Sequence, residues 1–584
     1  MHRSVLFCAT LLTIASQCLS EDSLMFFDQT ESGLIPQTIS YEREQGINKL
    51  HILYLMQGKE IDRSIALYKQ YQQFLGRHDF EILQQMALIL LDLGTKSSDP
   101  EQQLISIYGT QIAGINASID ILESAILSPH PQTQMAAIQS LSHLQDDRSE
   151  ELLTKAMASD FLFTRMEAAQ QLAVRKSRSA VGQIEALMYR IPPQMRFFFP
   201  QFFALIGTSD AITVLKQMMD ESFHMTRIEA ILSAARFGRD DLLPAIRARI
   251  THPFVAEQEA CASALGMLKD STSLEALKRL SASPSTNVQL AALKSLYQLG
   301  DASAKQQMMT LALAENLFAI SACGYLEGTE EDLARLARHS NIQVRFNATV
   351  ALLQRRDPRC LIPLKEFLLR DVRDLGYQPQ FSVGNALMAW KVIPSAIQHQ
   401  KADGYDLLTL TLNIREHLLR LCVDLPEPIF LNLAREIFDS RQTELIPLLV
   451  SLLENVQTQE ALALLQDRAQ TAGAPLMRAY CTLSLFRLKQ PGPHEQAILS
   501  WIDSKKQTEM IRFRPMLPWN VRISEKASAF ELTPDENSRL LIECYQTFAQ
   551  KHDEKSIDII LEALSTGHIK NRSVLAGLLI QALQ

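Results

Sequence analysis

Turn-forming residues are scarce in this chain. Its 584 residues hold only 21 glycines and 23 prolines, about 7.5%, where roughly 12% is usual. A many-stranded β fold needs more turns than that, and a low-complexity disordered chain needs more of both residues. A basic excess is also missing: 65 acidic residues face 57 basic ones, for a net charge of −8. That removes the electrostatic footprint of a nucleic-acid partner. No apolar run reaches the roughly 18 residues that a membrane-spanning helix requires. Cysteines never fall in a C-x-x-C pair, which leaves no sequence support for a structural zinc site or a thioredoxin-like redox site.

Catalytic signatures are missing as well. There is no Gly-x-Ser-x-Gly elbow, no phosphate-cradling loop ending in Gly-Lys-Ser/Thr, and no Gly-x-Gly-x-x-Gly turn. His494-Glu495 opens like a metalloprotease helix, but Ile498 stands where the second histidine belongs. These absences point to a protein that is not an enzyme and needs no cofactor or metal.

The chain begins with His2 and Arg3, an apolar stretch from Val5 to Ala15, and Ser16-Gln17-Cys18-Leu19-Ser20 ahead of Glu21-Asp22. A basic start, a short apolar core and small residues before the cut make residues 1–20 a secretory signal peptide, with cleavage after Ser20. The expected location is therefore the periplasm, the cell envelope or the outside of the cell. Of eight cysteines, Cys8 and Cys18 leave with the leader; Cys261, Cys323, Cys360, Cys422, Cys481 and Cys544 remain.

Internal repetition decides the architecture. Thr164-Arg165-Met166-Glu167-Ala168 recurs as Thr226-Arg227-Ile228-Glu229-Ala230, 62 residues on, which is twice 31. Anchoring on the final small residue aligns further copies at Ala137, Cys261, Ala292, Ala322, Ala348 and Cys481. A leucine follows four residues after nearly every anchor (Leu141, Leu172, Leu265, Leu296, Leu326, Leu352, Leu485), with Ala234 the exception. Arg or Gln stands three before it (Gln134, Arg165, Arg227, Gln258, Gln289, Arg345, Arg478), with Ala319 the exception. Anchor and leucine share one helix face, so the small residue admits a neighbouring helix and the leucine fills the seam. Between copies lie short turns such as Ser283-Pro284-Ser285-Thr286-Asn287. Each unit is thus a pair of helices of about ten residues, which cannot bury its apolar face alone and must stack. At three of the six mature cysteines the repeat supplies a plain role: Cys261 and Cys481 take the anchor place and Cys323 follows it, as small buried hydrophobes.

The runs Asn341-Ile342-Gln343-Val344-Arg345-Phe346-Asn347-Ala348 and Glu259-Ala260-Cys261-Ala262-Ser263-Ala264-Leu265-Gly266, with the period near 31, resemble the short bacterial-type HEAT repeat, also described as phycobilisome-lyase-like. The resemblance covers about 121–370 and resumes over 445–488; it implies an all-α solenoid of stacked helix pairs and a protein-binding scaffold. The lyase in the family label finds no matching active-site motif.

The expected organisation is a signal peptide (1–20), a lead-in with a helical cap (21–117), repeats (118–370), an interruption (371–410), further helical repeats (411–509), a Pro/aromatic insertion with extended character (510–532) and a C-terminal helical cap (533–584). Thr533-Pro534-Asp535-Glu536 spells a capping box. Terminal units of a solenoid usually cap its core with a polar face.

Three features are candidates for a protein or peptide partner. The first is the aromatic run with Phe197, Phe198 and Phe202, for which the plainer reading is a bulky core layer and the alternative an exposed ridge for a partner or a membrane surface. The second is the recurring Arg165, Arg227 and Arg345, whose plainer role is to bond the preceding turn. The third is the pair of interruptions carrying Trp390 and Trp519, which pack down or serve as contact points. The function expected is an exported, non-catalytic scaffold binding through its concave surface or insertions. An enzyme or chromophore-processing accessory, or a peripheral membrane protein, is the alternative.

Overall fold

The computed structural model describes residues 49–144, 146–371, 373–395, 407–440, 442–471, 473–512 and 532–584. The leader, Trp519 and most of the 510–532 insertion lie outside them. The described residues are helix after helix, interrupted by one hairpin.

The repeat takes the form that its spacing dictates. First helices such as Leu274–Leu280 alternate with second helices such as Thr286–Gln298. Every anchor is buried, from Ala137 to Cys481, and so is every residue four places on, Ala234 included. The second helices of successive units pack along one another, while the first helices meet less closely. That asymmetry bends the stack toward the second helices, which line its inner face.

The irregular copy has a local cause. Pro192 precedes and Pro193 opens a 3-10 segment, Pro193–Phe198, and the second helix is only Phe199–Ile206. Phe199, Phe202 and Phe203 point into the core, and Phe197 and Phe198 are half-buried. The aromatic run is a bulky core layer, which corrects the alternative of an exposed ridge: Phe202 is 5% exposed and unavailable to a partner.

The register extends further toward the N-terminus than expected. Ser106 lies 31 residues before Ala137 and is fully buried in the helix Pro100–Ala113. Gln103, three before it, donates to the Ser97 carbonyl at 2.7 Å. The segment expected as a cap thus holds a unit of the same design, together with the helices Lys49–Gln57, Ile61–Leu75 and Phe80–Thr95.

The two ends meet. The last helix, Arg572–Leu583, packs between Phe80–Thr95 and Pro100–Ala113, so the second helices form a closed ring in place of an open rod with two capped ends. Small residues allow it: a Cβ on Gly577 would lie 2.1 Å from the Gly109 carbonyl oxygen, and one on Gly109 2.3 Å from that of Ser573. Polar contacts rim the seam: Gln102 donates to Ser573 Oγ at 2.9 Å, Gln584 to the Ala113 carbonyl at 2.8 Å, and Lys570 and Arg572 pair with Glu101 and Asp62. The expected capping box at Thr533 and Glu536 is present with both of its hydrogen bonds.

Within the 371–410 interruption, β1 (Leu375–Phe381) and β2 (Met388–Pro394) pair antiparallel, Tyr377 opposite Val392 and Pro379 opposite Trp390. Alternation of Leu375, Tyr377 and Phe381, then a Gly384-Asn385 turn, is the sequence signal of this hairpin.

Candidate functional site

In four of the copies the recurring Arg or Gln in the first turn of the second helix reaches back to a carbonyl six residues earlier. Gln134 donates to Ser128 O at 2.7 Å, Arg227 to Glu221 O at 2.7 Å, Gln258 to His252 O at 2.8 Å and Arg345 to His339 O at 2.7 Å. A side chain closing the turn that leads into its own helix satisfies a loop carbonyl and fixes the angle between the two helices of its unit. Arg227 also binds Glu257, whose side chain is fully buried, through Nε at 2.8 Å and through Nη2. Arg345 reaches Glu366 at 3.2 Å. Arg227 and Arg345 are therefore committed to the scaffold, which corrects their candidacy as partner contacts. Arg165 is half-buried, with its Nε buried and without a hydrogen-bond partner.

The inner face holds something else: the chain's own hairpin. Gln343 and Asn347 stand four apart on the helix Ile342–Gln354, about 6 Å along its axis. Val392 and Trp390 stand two apart on β2, about 6.6 Å along the strand. The match lets each amide grip one residue's backbone twice. Gln343 donates to Val392 O at 2.7 Å and accepts from Val392 N at 2.8 Å. Asn347 donates to Trp390 O at 2.7 Å and accepts from Trp390 N at 2.8 Å. Trp390 itself is half-buried against Phe346, at 6.5 Å between ring centroids.

The other strand is closed as well. Tyr377 N donates to Thr411 Oγ1 at 3.0 Å, and Pro379, next on the same edge, has no N–H to offer. The hairpin's outer edges are thereby occupied at Trp390 and Val392 on β2 and at Tyr377 on β1, and Pro379 offers no donor for further strand pairing. The Tyr377 ring stacks on Phe346 at 4.7 Å and its hydroxyl donates to Phe367 O at 2.9 Å. Arg415, almost fully buried, lies over the ring with its guanidinium carbon 5.6 Å from the centroid and donates to Arg370 O. The root of the hairpin is a core element joining the helices before the interruption to those after it.

The tip crosses to distant repeats. Glu259, fully buried on the helix Val255–Met267, accepts from Ser382 Oγ, from Gly384 N at 3.1 Å and from Ala386 N at 3.4 Å. Burial raises its carboxyl above the ordinary range, and these hairpin donors act against that rise. Asn385 donates at 2.9 Å to Oε1 of Glu229, which stands on the helix His224–Arg236, one unit further toward the N-terminus. From Trp390 to Asn385 is five residues, at most about 17 Å of strand. The helices that hold these two points are separated by four helix-to-helix steps, roughly 32–40 Å along the stack. The hairpin is thus a chord across a curved inner face.

Sequence reasoning found Trp390 but missed the residues that hold its hairpin, Gln343, Asn347, Glu259 and Thr411. One sign was available: Asn347 sits mid-helix just before an anchor, where an asparagine is unfavourable unless its amide has a partner. Phe197 and Phe198 lie on a different part of the ring from Trp390, so the structure does not gather the candidates into one site. All six described cysteines are free and buried. Among the described residues no group of three or more His, Cys, Asp or Glu is placed to hold a metal, and no helix is long and apolar enough to cross a membrane.

Comparison with known proteins adds a family. One described as HEAT repeats matches residues 243–320. No curated protein matches the sequence. Among solved structures, the complex of CpcE and CpcF of phycocyanin lyase from Nostoc sp. PCC7120 is 19% identical, covers 35% of this chain and 87% of that one, with a TM-score of 0.28. Kap121p bound to Pho4p is 11% identical, covers 95% of this chain and 80% of that one, with a TM-score of 0.32. Residues 243–320 are thus HEAT repeats by family, and the described residues around them continue the same solenoid of helix pairs, with a period near 31 and buried anchors.

Proposed function

We propose that the protein is an exported, non-catalytic solenoid scaffold that binds a protein or peptide partner on its inner helix face. One observation carries the reading: that face already holds an extended stretch of backbone, with Gln343 and Asn347 each making a two-point grip on a strand residue. Backbone recognition of this kind gives affinity for an extended segment, and neighbouring side chains supply selectivity. The export half of the proposal rests on the leader-like residues 1–20. Crosslinking in the native cell followed by mass spectrometry tests both halves. The expected result is a protein partner crosslinked to second-helix residues, on a chain whose N-terminus is Glu21. Recovery of uncleaved chain in the cytosol refutes export, and crosslinks confined to the first helices refute the inner-face site.

A further inference from the structure

The hairpin is anchored unequally along its length. At the root, Leu375, Tyr377 and Val392 are buried in the common core, while beside the turn Leu387 is the one buried apolar side chain. At the tip, Phe381 and Val383 are 44% and 64% exposed, and hydrogen bonds to Glu259 and Glu229 hold the turn in place. A segment with little buried apolar area is the first to open.

What the tip covers is chemically distinctive. Glu259 is a fully buried carboxylate whose hydrogen bonds, among the described residues, all come from the hairpin, from Ser382, Gly384 and Ala386, and none from a cation. Glu229 stands one second helix away, its Oε1 bonded to Asn385 and its Oε2 3.2 Å from Arg236. Buried carboxylates are ordinarily paired with a cation. Lifting the tip would leave Glu259 facing the inner space with its donors gone and Glu229 with Arg236 alone, and a lysine or arginine side chain on an extended segment would replace the lost donors with both hydrogen bonds and charge.

We propose that the hairpin tip is an autoinhibitory strap that lies over part of the partner site, and that lifting it opens Glu259 and Glu229 to an extended basic segment of the partner. This rests on the inner-face reading above. Gly384 makes the strap separable from its target: a Cβ there would meet the Ala256 carbonyl oxygen at 2.5 Å and Glu259 Cβ at 2.8 Å. Gly384→Ala therefore pushes the tip off while leaving both carboxylates, Gln343 and Asn347 intact. Ser382→Ala, which deletes one donor without adding bulk, is the milder second variant.

The test has two arms on the full chain. Hydrogen–deuterium exchange reads the strap: amides 384 and 386 are expected to exchange at least tenfold faster in Gly384→Ala, and to a lesser degree in Ser382→Ala, while those of Trp390 and Val392 keep their protection. Fluorescence anisotropy with a labelled ten-residue arginine–serine repeat peptide reads the site. Gly384→Ala is expected to bind at least tenfold tighter than the natural chain, and Glu229→Gln with Glu259→Gln in the same background is expected to abolish the gain. Unchanged exchange at 384 and 386 overturns the strap. A released tip without tighter peptide binding overturns the occlusion. A native-cell search that recovers no inner-face partner refutes the underlying reading, and it leaves both arms interpretable.

Discussion

Replacing Gly577 or Gly109 with alanine should open the ring. In most exposed helix positions the change stabilises, by up to about 1 kcal/mol, because glycine costs the folded helix entropy. Gly182, exposed on the helix Val181–Tyr189 with nothing within 4 Å of its would-be Cβ, is the internal control. At the seam the new methyl would lie 2.1 Å from the Gly109 carbonyl oxygen in one case and 2.3 Å from the Ser573 carbonyl oxygen in the other. The obstacle is backbone, so the helices must separate by about 1 Å, a gap that forfeits a quarter to a half of each contact's dispersion energy. Overpacking of this kind costs about 1–3 kcal/mol. Set against the helix-propensity gain, each seam substitution is expected to be neutral to about 2 kcal/mol destabilising, and the pair together up to about 4 kcal/mol. Urea unfolding measures that loss, and small-angle scattering measures the accompanying increase in radius of gyration. A double variant as stable and as compact as the natural chain refutes backbone contact at the seam, and with it the closed ring.

Arg227→Ala removes the principal cation from the fully buried Glu257, and Arg249 at 3.7 Å is a poor substitute; urea unfolding should show a loss of about 3 kcal/mol or more, whereas a surface role would leave stability unchanged. Asp270, held far below the usual carboxylate range by its two-point bond to Arg247 and by Ser273 and Thr272, should stabilise the fold fully above about pH 4. That contribution is lost as the pH falls toward its depressed folded value, so the stability gap between Asp270→Asn and the natural chain should narrow in acid unfolding curves. Burial pushes the thiols of Cys261, Cys323, Cys360 and Cys481 up to about 12, so a thiol reagent at pH 8 should label none of the six described cysteines before urea unfolds the chain, and all six after.

The repeat was legible because its signal is local and repeated. A small anchor, a leucine one helical turn later and a polar residue before them answer to packing within a single helix pair. The turn-clamping role of Gln134, Arg227 and Arg345 is equally local, spanning six residues. Ring closure is not of that kind. It depends on the sum of small rotations over the whole stack, and its only trace in the sequence is a few glycines, Gly109 and Gly577 among them, that read individually as weak helix positions. The hairpin's docking was hidden for a related reason. Glu259 and Ser382 are 123 residues apart, and nothing near either one announces the other. The candidate site was therefore half visible, with Trp390 in view and the hairpin's holders concealed among ordinary helix residues.

Clamp, hairpin and seam all act on one quantity, the curvature of the stack. The clamps set the helix angle in the repeats that carry them, the hairpin fixes a chord across about four repeats, and the seam accepts the last helix only if the accumulated bend brings Gly577 against Gly109. In an open solenoid such terms would be nearly independent, since each repeat meets only its neighbours. Closing the ring couples them: a change in angle at the Arg227 clamp has to be absorbed by the hairpin, by the seam, or by every repeat between. Substitutions at these three places should consequently fail to add, although they lie far apart, where distant sites normally add within about 0.5 kcal/mol. The same coupling gives the strap a reach beyond its own bonds. A partner that lifts the tip from Glu259 and Glu229 releases the chord, and the relaxed curvature is felt at the seam on the far side of the ring.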